Sequence, residues 1–209
     1  MPSSSVLESV MYLYNRTRQD KYLDFAKYIV KQWETPEGPR LISKAIADIP
    51  VAGRFPHPKV WFSPENGQKA YEMMSCYEGL LELYKVTKSP LYLSVVEKTM
   101  NHIINEEINV AGSGSAFECW YGGKALQTYP TYHTMETCVT FTWMQICDRM
   151  LGLTGNSLYA DQIEKAMYNA LLASLKADAS QIAKYSPLEG WRHEGEEQCG
   201  MHINCCNAN

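Results

Sequence analysis

One short pattern occurs three times in this chain, and it limits the fold more than any other feature. Leu13-Tyr14-Asn15-Arg16-Thr17 leads into Asp20-Lys21-Tyr22-Leu23, and Leu83-Tyr84-Lys85-Val86-Thr87 into Ser89-Pro90-Leu91-Tyr92-Leu93. Met150-Leu151-Gly152-Leu153-Thr154 leads into Asn156-Ser157-Leu158-Tyr159-Ala160 in the same way. Each time a helical run ends near a threonine, a tyrosine follows five residues on, and a second amphipathic run begins. The polar residues between them carry C-cap and N-cap chemistry. The threonines recur at intervals of 70 and 67 residues. A tight helical hairpin repeated at long period is the mark of stacked αα units, so the expected fold is all-α, part of a toroid of helical hairpins. Three ordinary hairpins in an irregular bundle would carry the same pattern.

The runs themselves have helical spacing. Leu7, Val10, Met11 and Tyr14 share one face, and Tyr22, Phe25, Ala26, Ile29, Val30 and Trp33 another. Tyr77, Leu80, Leu81 and Tyr84 repeat it, followed by Leu93, Val96 and Met100. Val139, Trp143, Ile146, Cys147, Met150 and Leu151 do so again, and Ile163, Ala166, Met167 and Ala170 open a further helix. Strand alternation is scarce. Residues 35–68, 109–134 and 177–209 are rich in Gly, Pro and aromatics and read as long loops. Loops of that length in a compact domain usually carry function, and in a toroid they would meet at one rim to form the site.

Composition narrows the function classes. With 209 residues, 45% of them apolar and 20% charged, the chain has the ordinary balance of a soluble globular protein. The net charge is −4 and there is no basic block, which argues against nucleic acid. No apolar run reaches the ~18–20 residues of a membrane span, and the first residues lack a signal-peptide pattern. The last residues, Cys205-Cys206-Asn207-Ala208-Asn209, stop directly after the most reactive-looking pair, so the chain reads as a fragment. Compartment and oligomeric state stay open. Seven cysteines at irregular spacing suit reduced thiols better than a disulfide framework.

Glu136, Cys138, Cys205 and Cys206 form the sharpest chemical constellation. Carboxylate and thiolate both ligate zinc, and four such groups fill a tetrahedral shell. Residues i and i+2 of a regular helix point about 200° apart, so Glu136 and Cys138 can converge only at a helix start. The periodic run begins at Val139, which puts them there. Cys138 as a buried helix residue is the plainer alternative. Glu118, in Phe117-Glu118-Cys119-Trp120, lies among aromatics that would raise its pKa by desolvation and suit it to general acid work. Glu194, Glu196 and Glu197 read as a solvated acidic run. The loop aromatics Trp61, Trp120, Tyr121, Tyr129, Tyr132, Tyr185 and Trp191 suit sugar faces or simple loop anchoring. His133 and His202 precede the ligand candidates by three residues, as outer-shell donors, alternative ligands or structural histidines.

These residues resemble glycoside hydrolase family 127, typified by β-L-arabinofuranosidases. The resemblance rests on Tyr132-His133-Thr134-Met135-Glu136-Thr137-Cys138, on Tyr159-Ala160-Asp161 through Tyr168-Asn169-Ala170, on Tyr185-Ser186-Pro187-Leu188-Glu189 and on Cys205-Cys206-Asn207-Ala208-Asn209. It implies an (α/α)6 barrel of which residues 1–209 form roughly the second half, with the first half and accessory β-domains outside this chain. It also implies a carbohydrate substrate and a zinc ion on Glu136, Cys138, Cys205 and Cys206, with Cys205 as nucleophile and Tyr185 on the sugar. A glutamate would serve as acid/base in a retaining mechanism.

The sequence departs from the family at that glutamate. The family's Gly-Glu-Ala-Phe stretch is Gly114-Ser115-Ala116-Phe117 here, and Glu118, three residues on, is the natural substitute. Two other readings compete with the glycosidase: a non-catalytic relative whose zinc staples two loops, and a Cys-His hydrolase built on Cys205 with His202 or His133.

Overall fold

The computed structural model describes residues 5–54, 69–127, 133–190 and 206. Among these residues the chain is all-α. It forms α1 (Leu7–Thr17), α2 (Asp20–Trp33), α3 (Leu41–Ile46), α4 (Ala70–Thr87), α5 (Pro90–His102), α6 (Gly123–Leu126), α7 (Thr137–Thr154), α8 (Ser157–Lys165) and α9 (Leu172–Ser174). π-helical turns follow α5 at Ile103–Glu107 and α8 at Ala166–Leu171. No described helix is long and apolar enough to cross a membrane.

The three repeated patterns are three copies of one turn, joining α1 to α2, α4 to α5 and α7 to α8. In each, the threonine hydroxyl donates to the carbonyl four residues back, at 2.7 Å for Thr17, 2.9 Å for Thr87 and 2.7 Å for Thr154. The same oxygen accepts the N–H two residues on, from Gln19 (3.4 Å), Ser89 (3.4 Å) and Asn156 (3.2 Å). The residue between is left-handed: Arg18 (φ 55°), Lys88 (φ 56°) and Gly155 (φ 69°). Its N–H donates to Tyr14, Tyr84 or Leu151 at 2.7–2.8 Å, so an orphan end carbonyl is satisfied each time. Glycine takes this conformation freely, whereas Arg18 and Lys88 bear a cost near 1–2 kcal/mol. Each of those two cations lies over the tyrosine its N–H bonds to, 5.7 Å from Tyr14 and 5.9 Å from Tyr84. The expected N-cap chemistry is less uniform, since of Gln19, Ser89 and Asn156 only the Asn156 side chain caps, at 3.0 Å to Leu158 N.

The described residues fall into two compact units, one within Met1–Gln68 and Glu72–Ile103, the other within Lys69–Tyr71 and Ile104–Asn209. In the first, α4 is buried on nearly every side, and Gly79 is where α1 meets it. A Cβ there would stand 2.7 Å from Glu8 N and 2.8 Å from Leu7 Cβ, so any side chain would force the helices apart. The segment after α2 was expected as loop, yet it holds α3. Both oxygens of Glu34 cap that helix, accepting the Ile42 and Ser43 N–H groups at 2.9 and 3.0 Å. A cap from eight residues upstream has no local signature, which is why periodicity misses it. Buried Arg54 ties the same segment to the helices through Ile49 O (2.8 Å), Tyr77 Oη (2.7 Å) and Thr99 Oγ1 (3.0 Å).

In the second unit, α7 buries Val139, Trp143, Ile146, Cys147 and Met150 as its spacing predicts. The continuation of α8 does not keep helical register. The π turn widens it, so Ala166 and Ala170 stay buried while Met167 is 43% exposed. The Ala170 N–H also reaches Ala111 O, at 3.2 Å. Gly112 (φ 87°) permits that approach, since a Cβ would lie 2.7 Å from Ala166 N. Phe25, expected on the core face of α2, is 48% exposed and stacks on Tyr28.

One further loop is closed from within. Glu107 is fully buried at the end of the π turn, and its Oε2 accepts N–H groups from Tyr121 (3.0 Å), Gly122 (2.9 Å) and Gly123 (3.3 Å). Burial pushes its carboxyl above the usual range, and the three backbone bonds only partly oppose that.

Candidate active site

Three short stretches of the second unit lie side by side in front of α7. The middle one is Thr134–Glu136. Ala116 bridges to Thr134 on one side, and Tyr185 bridges to Glu136 on the other. The Tyr185 stretch is held to the helix start by Thr137 N to Lys184 O (2.9 Å) and Thr137 Oγ1 to Ala183 O (2.6 Å). The first of these bonds satisfies a helix N-terminal N–H that would otherwise be orphaned in a buried place.

Glu136 is the N-cap residue of α7, with φ −57° and ψ 133°, and Cys138 is its second helical residue. The extended backbone at Glu136 lets residues i and i+2 converge, as the spacing argument required. Glu136, Cys138 and Cys206 are all buried, and their ligand atoms lie within 4.8 Å of one another. The two sulfurs are 3.3 Å apart, far beyond the ~2.05 Å of a disulfide. That is near the ~3.8 Å edge of a tetrahedron with ~2.3 Å zinc–sulfur bonds. One carboxylate and two thiols make a donor set that fits a thiophilic divalent cation. Cys205, the fourth predicted ligand and nucleophile, lies outside the described residues, as do His202, Glu194, Glu196, Glu197, Tyr129, Tyr132, Trp61 and Trp191.

Glu118 is displayed on a tight turn. Ala116 and Cys119 exchange both backbone hydrogen bonds, at 2.8 and 2.9 Å, across Phe117 (φ 49°) and Glu118 (φ 68°). Two positive φ values are the mark of a type I′ hairpin turn, which favours Asn-Gly rather than Phe-Glu. Strain of about 1–3 kcal/mol per residue is typical of functional sites. Ser115 (φ 76°) and Met135 (φ 53°) beside it share the left-handed conformation. Ser115 is fully buried, and its Oγ accepts the Glu136 N–H at 3.4 Å.

The Glu118 carboxylate is nearly buried and surrounded by donors. Tyr185 Oη donates to Oε1 at 3.1 Å, Lys184 Nζ pairs with Oε1 at 2.6 Å, and Lys69 pairs with Oε2. The aromatic neighbours of Glu118 in the sequence predict a pKa raised by desolvation. Burial does act upward, but the hydrogen bonds and charges of Lys184 and Lys69 outweigh it, and the carboxyl is held below its ordinary value. The same surroundings push the Tyr185 phenol far up, through burial and then the Glu118 and Glu136 carboxylates, so it stays a neutral donor.

Among the described residues, His133 lies outside the ligand cluster. It stacks on Phe117 (5.1 Å between centroids) and meets Tyr185 edge-on (4.9 Å), with its pKa lowered by burial and then by Lys184. Trp120 is buried against Gly114, where a Cβ would come within 2.9 Å of its ring, and acts as a loop anchor. Sequence reasoning missed Lys69, Lys184 and Glu107. Lys184 alone had a signal, its place directly before Tyr185.

A family model for the β-L-arabinofuranosidase GH127 catalytic domain matches residues 2–209. No curated protein matches the chain in sequence. Among solved structures, the GH127 β-arabinofuranosidase BT3674 superposes with a TM-score of 0.72 at 22% identity, covering 98% of this chain and 30% of that one. The GH127 β-L-arabinofuranosidase Ara127N-Se from Geobacillus stearothermophilus T6 does so at 0.67 and 18% identity, covering 94% and 32%. A protein described as a glycoside hydrolase gives 0.63 at 18%, covering 94% and 35%. The chain thus spans about a third of the length of these similar structures, and the likeness is one of fold.

Proposed function

Because this chain belongs to the family of GH127 β-L-arabinofuranosidase catalytic domains, we propose that it acts in a retaining, zinc-dependent glycoside hydrolase. The substrate is a non-reducing-end β-L-arabinofuranoside or a related plant sugar. The observation that carries this reading is the convergence of Glu136, Cys138 and Cys206 in one buried cluster beside the Tyr185 stretch.

Glu136, Cys138, Cys206 and the adjacent Cys205 would hold the zinc, which lowers the pKa of a bound thiol and keeps it as thiolate. The Cys205 thiolate attacks the anomeric carbon. A carbon–sulfur bond forms as the glycosidic carbon–oxygen bond breaks, and protonated Glu118 gives its proton to the leaving oxygen. The Glu118 carboxylate then takes a proton from water, the water oxygen bonds to the anomeric carbon, and the thiolate leaves. Two inversions give retention. Tyr185, neutral and donating to Glu118, orients the carboxylate, and its ring with His133 and Phe117 offers an aromatic wall for the sugar.

Release of 4-nitrophenol from its β-L-arabinofuranoside, with zinc measured in the same sample, tests this. Activity that follows zinc content and vanishes in Cys205→Ser is expected. Zinc binding without turnover would favour the second reading, a non-catalytic relative with a structural zinc. The buried Ser115, at the position of the family's glutamate, is the observation on that side.

A further inference from the structure

The two oxygens of Glu118 are held in unequal ways. Oε1 takes both Tyr185 Oη (3.1 Å) and Lys184 Nζ (2.6 Å), and the Lys184 side chain is only 9% exposed. Oε2 takes Lys69, whose side chain is 39% exposed and enters from the residue just before α4. Lys184 is fixed at its backbone too, since its carbonyl accepts the Thr137 N–H at the start of α7. Among the described residues, the other charged or titratable groups facing this cluster are His133, from the stretch before α7, and Glu136 and Cys206, which act on Tyr185.

We propose that the two lysines divide the work on Glu118: Lys184 is a positioning residue that fixes Oε1, and Lys69 is a releasable cation on Oε2, the oxygen that exchanges the proton. This rests on the reading of Glu118 as acid/base. A carboxylate gripped by two ammonium groups is ionised at rest and cannot donate a proton to a leaving group. One cation must withdraw before it can. Lys69 can turn its ammonium to solvent, because its side chain is 39% exposed and its own charge need not stay buried when the pair parts. Lys184 has no such route, because leaving would strand a buried charge. Arrival of the sugar's leaving group at Oε2 would then part Lys69 from Glu118 and let the carboxyl take up its proton.

The test compares Lys69→Met, Lys184→Met and Lys184→Arg in the full chain, using 13Cδ-glutamate NMR with the Glu118 signal assigned by its loss in Glu118→Gln. Lys69→Met should raise the Glu118 titration midpoint by about 1 unit or more. It should also move the alkaline limb of kcat/KM upward, since that limb reports loss of the acid's proton. At neutral pH its turnover of an alkyl furanoside, whose leaving group needs the acid, should rise. Lys184→Met should instead lower kcat about 10-fold or more at every pH, because orientation is lost, and Lys184→Arg should restore most of it. Equal effects of the two methionine variants, or a Glu118 midpoint unmoved in Lys69→Met, would overturn the proposal. Lys69 is half-exposed, so that second arm decides even where Lys184→Met fails to fold. Failure of the underlying reading looks different: Glu118→Gln would then cleave the alkyl furanoside as fast as the parent.

Discussion

Glu107 and Glu118 are two buried carboxylates of the same unit, and they are set in opposite directions. Glu107 accepts three backbone N–H groups on one oxygen, and burial still pushes its pKa up. Glu118 suffers burial too, but two ammonium groups hold its pKa down. Neutral dipoles soften a desolvation penalty, whereas full charges can reverse it. Glu107 therefore suits a loop staple. Glu118, strained on its turn and ringed by groups that can move protons or charge, suits chemistry.

The sharpest way to break that contrast is activity. Glu118→Gln should cost about 10²–10⁴ in kcat/KM on an alkyl furanoside. Glu107→Gln should stay within a few-fold of the parent, and equal losses would erase the distinction.

Metal content brings in Glu136, a third buried glutamate of this unit. Glu136→Gln should weaken zinc binding by more than the ~10–100-fold that even an outer-shell change costs. Glu107→Gln and Glu118→Gln should keep their zinc, as measured by competition with a chromophoric chelator.

Stability should rank the other way. Glu107→Ala leaves one buried and two part-buried N–H groups without their acceptor and should cost about 1–3 kcal/mol in urea unfolding.

The smallest effect is a slope. With its pKa raised, the folded protein binds the Glu107 proton more tightly than the unfolded chain. Its contribution is full below the ordinary carboxylate value and is lost as pH rises through the raised one. Glu118 works in reverse, contributing above the ordinary value and losing it as pH falls through the lowered one. Urea midpoints between pH 4 and 8 should fall less steeply with rising pH in Glu107→Gln than in the parent.

The hairpins were legible because everything that makes them is local. Thr17, Thr87 and Thr154 each bond within four residues, and the left-handed residue follows at once. Likewise Glu136 and Cys138 could be assigned to a helix start from spacing alone, and the N-cap conformation at Glu136 agrees. The helix α3 was not legible, because Glu34 caps it from outside its own run. The register of α8 was not either, because its π turn packs against Ala111 and Gly112, which lie far from it in the chain.

The all-α character, the three hairpins, the family and the side-chain types at the Glu136, Cys138 and Cys206 cluster follow from the residues alone. Each of these is written in residues close in the chain or in an ordered motif set. Tertiary structure alone decided how Glu118 is charged. Lys69, Glu118 and Lys184 are far apart in sequence, and Coulomb forces depend on distance through space. The aromatic neighbours of Glu118 suggested a raised pKa, and two distant lysines turned it the other way.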